Sequence, residues 1–141
     1  MLLLRNGNKL PICVVGGCHN SLFNVSVFHS TWTGGFPIPE CWSWWLTRLP
    51  ERGAIATIGN TGLGYGILGK DCTIGGFDGW ISKEFFRQYA EENHGILGDA
   101  YGQTLISYVT SYDLGEDDHV KSVEQWILLG DPSLKIGGYT D

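Results

Sequence analysis

Apolar positions along this chain fall either in short unbroken runs or at helical spacings, a mixture that predicts strands and helices in alternation. Ile12-Cys13-Val14-Val15 is an unbroken run stopped by Gly16-Gly17, as expected of a strand covered on both faces. Trp42, Trp45, Leu46 and Leu49 share one helical face, which predicts a helix over 38–49. Pro39 suits its first turn and Pro50 stops it, while Trp42 and Trp45 should pack on the sheet. Gly53 then opens a second apolar run, Ala54-Ile-Ala-Thr-Ile58. Strand, helix and strand of these lengths predict a right-handed parallel crossover.

Residues 60–76 carry six glycines without a period and read as a long loop leaving the second strand. Asp78 is placed to cap a helix with Ile81, Phe85 and Tyr89 on one face and a stop at Asn93-His94-Gly95. Leu97, Tyr101, Thr104, Leu105, Tyr108, Val109 and Tyr112 then hold one face over the longest helical pattern in the chain. After the acidic loop 113–118, Val120, Val123, Trp126 and Ile127 repeat a helical face, and Leu134-Lys-Ile136 reads as a last strand. The expected architecture is one α/β domain over residues 1–141, with a short, mainly parallel sheet of about three strands flanked by about four helices.

Composition narrows the function. Nine Lys and Arg against fifteen Asp and Glu give a net charge of −6 with no basic cluster, so a nucleic-acid partner is not expected. No stretch approaches the ~20 apolar residues of a membrane span, and Met1-Leu-Leu-Leu is too short for a signal-peptide core. The compartment is not written in the sequence. Cys13, Cys18, Cys41 and Cys72 lack Cys-x-x-Cys spacing, which favours free thiols. Cys13, Cys18, His19 and Cys41 match no familiar zinc spacing, and no cofactor is called for.

The chemistry concentrates at Cys18. It follows the first strand directly, at the carboxyl end where loops of an α/β sheet converge and ligands gather. A lone cysteine is as a rule a small buried apolar residue. Here the preceding glycines let a substrate carbonyl approach, and the Gly17 and Cys18 amides can serve as oxyanion donors. An anion nest on the same amides lacks the helix start and glycine spacing of a phosphate loop.

The Leu10-Pro-Ile-Cys-Val-Val-Gly-Gly-Cys-His-Asn20 block resembles the strand-and-cysteine signature of the gingipain family of caspase-like cysteine peptidases. Trp126-Ile-Leu-Leu-Gly-Asp-Pro-Ser-Leu-Lys-Ile-Gly-Gly138 resembles the segment that closes the gingipain catalytic domain, and the order of elements between agrees. The resemblance implies a partial caspase-like fold corresponding to the carboxyl-terminal part of that domain. It implies cysteine endopeptidase activity on peptide or protein substrates, with Cys18 as nucleophile. By position it makes Asn60, Thr61 and Tyr65 the substrate-pocket wall, against the bland reading of a loop with tight turns. It also suggests an exported or cell-surface protein, and a structural calcium site at Glu116-Asp117-Asp118, a run that otherwise reads as a solvated helix start.

The departure from the family lies in the base. The family's His-Gly pair stands upstream of the cysteine, and none of the seventeen residues before Cys18 is histidine. His29 could fold back over the site, and His19 could reach Cys18 only if the loop curls; His94 and His119 belong to a helix stop and a helix start. The expectation is a truncated or incomplete catalytic domain whose base comes from other sequence, inactive alone. Its open sheet edge beside the first strand invites homo-oligomerisation. The alternative is an inactive binding or structural module that keeps the peptidase fold.

Overall fold

The computed structural model describes residues 4–25, 27, 38–67 and 73–138. In chain order its elements are β1 (Ile12–Val14), α1 (Trp42–Arg48), β2 (Ala56–Asn60), a short 3₁₀ turn (Thr73–Gly75), α2 (Phe77–Ala90), α3 (Leu97–Ser111), α4 (Asp117–Gln125) and β3 (Trp126–Leu129). The α/β architecture is as expected, with four α-helices and three strands among the described residues.

The sheet order is β1-β2-β3. β1 and β2 are parallel, with Ile12 opposite Ala56 and Val14 opposite Ile58, so the predicted crossover through α1 exists. The sheet is nevertheless mixed rather than mainly parallel, because β3 pairs antiparallel with β2, Asn60 facing Trp126 and Thr57 facing Leu129. This corrects the reading of Trp126 and Ile127 as helical. Val120 and Val123 sit in α4, but the run Trp126-Ile-Leu-Leu129 is unbroken and apolar, and pairing with β2 outweighs continuation of the helix. The same pairing moves β2 two residues on from the expected 54–58, since Gly59 and Asn60 find partners in Ile127 and Trp126.

All five β2 residues are buried. The core against β2 and β3 is Ile58, Ile81, Phe85, Leu97, Ala100, Tyr108 and Trp126. Trp126 is 1% exposed, with Tyr101 stacked on its ring at a centroid distance of 5.3 Å. On α3 the buried residues are Leu97, Ala100, Thr104 and Tyr108, close to the expected face, while Val109 turns outward.

α1 begins four residues later than expected, after an extended Cys41. Its buried face carries Ser43 and Leu46 rather than Trp42 and Trp45, which are only half-buried. The reason is polar: Ser43 Oγ meets Ser21 Oγ at 2.6 Å, and Thr47 Oγ1 meets Thr57 Oγ1 at 3.1 Å. Small hydroxyl side chains let α1 lie close on β2, where two indoles would hold it off.

The expected last strand, Leu134-Lys-Ile136, is reduced to a bridge between Ile96 and Lys135, and the Gly-Asp-Pro-Ser-Leu segment leading into it forms no strand. Its carbonyls satisfy the start of α3 instead: Leu97 N–H donates to Leu134 O and Gly98 N–H to Pro132 O, both at 2.8 Å. Asp131 Oδ1 accepts from the Ser133 N–H (2.9 Å) and hydroxyl (2.7 Å), fixing that turn.

β1 is an edge of the sheet, as expected. Apolar clefts open on both of its faces. One of about 660 Å³ is lined by Ile12, Phe85, Phe86, Tyr89, Leu134 and Ile136 among others. Another of about 480 Å³ includes Leu4, Cys13, Trp42 and Leu46.

Two consequences are measurable. Trp126→Ala removes a buried indole from the β2–β3 junction and is expected to cost about 3–5 kcal/mol in urea unfolding. Arg87 holds the nearly buried Glu84 carboxyl below its usual 4.5, with further help from Gln88. Because the folded value is the lower one, this contribution is present above about pH 4.5 and is lost as pH falls through the folded value. Arg87 is partly exposed, so the expected loss is at most about 1 kcal/mol, and Glu84→Gln should abolish it.

Candidate active site at the end of β1

β1 ends at Val14; Val15 N–H still donates to Ile58 O at 2.9 Å, and the chain then turns sharply. Gly17 takes φ +118° and His19 φ +58°, both left-handed. Glycine adopts that region freely, and histidine does so more readily than most residues with a side chain. The turn leaves the Cys18 side chain exposed. Cys13, by contrast, lies within β1, where burial pushes its thiol up, and Cys41 is 2% exposed. All three thiols are free.

The loop after β2 closes over this turn. His19 N–H donates to Gly62 O at 2.7 Å, and Ser21 N–H to Asn60 O at 2.9 Å. Gly64 N–H donates to Cys18 Sγ at 3.3 Å, and the thiol lies 3.9 Å from Gly64 O. Only glycine fits there: a Cβ on residue 64 would stand 2.8 Å from the Gly17 carbonyl carbon and would collide with Asp78 Oδ2.

Asn60 and Asp78 lie beneath that contact. Asn60 is fully buried at the end of β2; its Nδ2 donates to Gly17 O at 3.2 Å and to Asp78 Oδ2 at 2.6 Å. The Gly17 carbonyl also accepts from Asn20 Nδ2 at 2.8 Å. Asp78 is 6% exposed, and burial pushes its carboxyl above the usual 3.8. The Asn60 bond and the nearby peptide groups of Gly17 and Tyr65 pull the other way, although Oδ1 itself meets no donor at hydrogen-bond geometry among the described residues.

Asp78 therefore corrects an expectation. It is not the cap of α2, a position held by Gly76, but a first-turn residue whose carboxylate faces the Cys18 loop through Asn60. Neither it nor Gly64 stands out in the sequence, since an aspartate at a helix start reads as capping and a glycine among six reads as a turn. Of the pocket residues suggested by the resemblance, Thr61 and Tyr65 are half-exposed beside the turn, and Tyr65 sits 6.0 Å from the Phe77 ring. Asn60 is internal and braces the turn from below.

The histidines divide. His94 Nδ1 contacts Asp99 at 2.6 Å, and His119 Nδ1 meets the Tyr108 hydroxyl at 2.7 Å while lying stacked on Phe77 and Tyr112. Burial pushes the Tyr108 phenol up to about 12, so it remains protonated there at neutral pH. His19 is at the turn itself, half-buried, and His29 lies outside the described residues. So does Cys72.

The resemblance places a calcium site at Glu116, Asp117 and Asp118, whose described surroundings are these. Glu116 caps α4 and lies 3.9 Å from His119, Asp118 lies 3.9 Å from Lys121, and no three metal-binding groups converge among the described residues.

The β1 end of this α/β domain thus carries a free, exposed thiol with a backbone N–H aimed at its sulfur. The chain belongs to peptidase family C25, whose family model matches residues 1–137. No curated protein and no solved structure matches it significantly. Membership supports cysteine peptidase chemistry on protein or peptide substrates. No helix among the described residues is long and apolar enough to cross a membrane.

Gly64→Ala tests the closeness of this assembly. It is expected to destabilise the fold by about 1–3 kcal/mol through overpacking against Gly17 and Asp78. Peptide-mapped alkylation should show slower labelling of Cys18, with Cys41 unchanged.

Proposed function

We propose that the chain carries the nucleophile and part of the substrate pocket of a cysteine endopeptidase catalytic domain. The observation behind this reading is the Gly64 N–H donating to the exposed Cys18 Sγ, in a chain of family C25. Cys18 attacks the scissile carbonyl as thiolate, and the negative charge passes to the carbonyl oxygen. Gly17 N–H faces Asp78, and His19 N–H is bound to Gly62, so the Cys18 N–H is the strand-end amide that receives the oxyanion. Thr61 and Tyr65 border the residue before the scissile bond, with Asn60 behind them.

The general base comes from polypeptide outside these 141 residues. Two observations support this. His94 and His119 are engaged elsewhere in the fold. The edge of β1, with apolar clefts on both faces, suits further strands and helices of the same domain. Residues 1–141 are then one part of a larger α/β unit, and association of two copies through β1 is the competing use of that edge.

Iodoacetamide labelling resolved by peptide mapping tests the nucleophile. Cys18 is expected to react about tenfold faster than Cys13 or Cys41, given its exposure and the amide at its sulfur. Equal rates at Cys18 and Cys13 would overturn the reading. Hydrolysis of a fluorogenic peptide by the chain alone should be near background; turnover abolished by His29→Ala would instead place the base within the chain.

A further inference from the structure

We infer that Asp78 is a positioning residue for the Cys18 nucleophile: its buried carboxylate, gripped by Asn60, anchors the Gly17 turn and the 61–65 loop together and so aims the Gly64 N–H at the sulfur. This rests on the nucleophile reading above, and it adds a residue that neither touches the sulfur nor faces substrate.

Three separate stretches of chain meet at this carboxylate. Asn60 ends β2, Gly17 opens the turn after β1, and Asp78 lies in the first turn of α2. The Asn60 amide has two hydrogens, and both are used: one bonds Gly17 O at 3.2 Å, the other Asp78 Oδ2 at 2.6 Å. The second bond fixes the amide's rotation, so the first points where Gly17 needs it. Gly64 is wedged between the same two groups, with no room for a Cβ against Asp78 Oδ2 or the Gly17 peptide. A shift of the carboxylate therefore moves Gly64, and with it the donor at 3.3 Å from Cys18.

The carboxylate is also held at a cost. Asp78 is 6% exposed, and its Oδ1 meets no donor at hydrogen-bond geometry among the described residues. Phe77 beside it takes φ +53°, a strained conformation for an aromatic residue. Neutral asparagine would fill the same space, accept from Asn60 and avoid the burial of charge. What it cannot do is present only acceptors to the Gly17 and Tyr65 peptide N–H groups that face the carboxylate. Burial raises the Asp78 carboxyl above 3.8, so its ionisation lowers stability as pH rises through that raised value. Removing the charge should accordingly spare the fold and disturb the site.

The experiment compares the full chain with its Asp78→Asn variant by two readouts. One is the change in the Gly64 amide ¹⁵N and ¹H shifts when Cys18 is deprotonated. The other is the iodoacetamide rate at Cys18 relative to Cys13 in the same sample. In Asp78→Asn the amide response is expected to fall by about half or more and the rate ratio by about threefold to tenfold. The thermal midpoint at pH 7 should stay within about 4 °C of the parent. A folded variant with the parent's amide response and rate ratio would overturn the proposal, as would a large fall in midpoint with both site readouts unchanged. Should Asp78→Asn not fold, Asp78→Ser is read in the same way. A parent chain in which Cys18 reacts no faster than Cys13 sinks the nucleophile reading instead, and the Gly64 amide response still decides the role of Asp78.

Discussion

The buried amide of Asn60 is the joint on which the rest of this structure turns. It stands at the carboxyl end of the fully buried β2, where there is no water to satisfy it, so each of its N–H groups must find a protein acceptor. One acceptor is the peptide after β1 and the other is the first turn of α2. Its backbone carbonyl meanwhile accepts from Ser21, and the next residue's N–H donates to Gln125 at the end of α4. Asn60 and the residue after it thus tie together the Cys18 turn, two helices and the central strand, and the thiol inherits its orientation from that tie rather than from its own neighbours in sequence.

The sheet makes the joint possible. β2 takes β1 on one side in parallel and β3 on the other in antiparallel, which leaves it no exposed edge and brings its last residue opposite Trp126. Small side chains serve the same end: Ser21 and Ser43 meet under α1, and Gly64 passes between Gly17 and Asp78. Close approach of backbone to backbone, more than any large residue, shapes the site. The Gly-Asp-Pro-Ser-Leu segment works at a distance from it, supplying carbonyls to the start of α3.

The polar contacts at the site and the apolar clefts at β1 serve different ends. Around Cys18 the hydrogen bonds of Gly62, Gly64 and Asn60 close the loop on the turn. Along β1 the sheet stops with apolar side chains still lining both faces. Unpaired strand groups and apolar side chains in water make such an edge the least satisfied part of the fold.

Local sequence was enough to determine the α/β class, the parallel crossover, the strand that leads into the Gly16-Gly17-Cys18 turn, and α3 with its apolar stripe, because these rest on periodicity and on glycine and proline within a few residues. It also carried the family, through the Gly-Gly-Cys and Gly-Asp-Pro-Ser-Leu blocks. Tertiary structure decided the rest. Trp126 leaves a helical spacing for a strand because β2 offers it a pairing partner in Asn60, more than sixty residues upstream and beyond the reach of any local pattern. Ser43 and Thr47 take the place of Trp42 and Trp45 against the sheet because the hydroxyls of Ser21 after β1 and of Thr57 on β2 await them. Asp78 becomes a brace rather than a cap because Asn60, eighteen positions earlier, is buried beside it and needs an acceptor. In each case the deciding term is a long-range hydrogen bond or pairing, whose strength depends on burial that only the assembled fold creates.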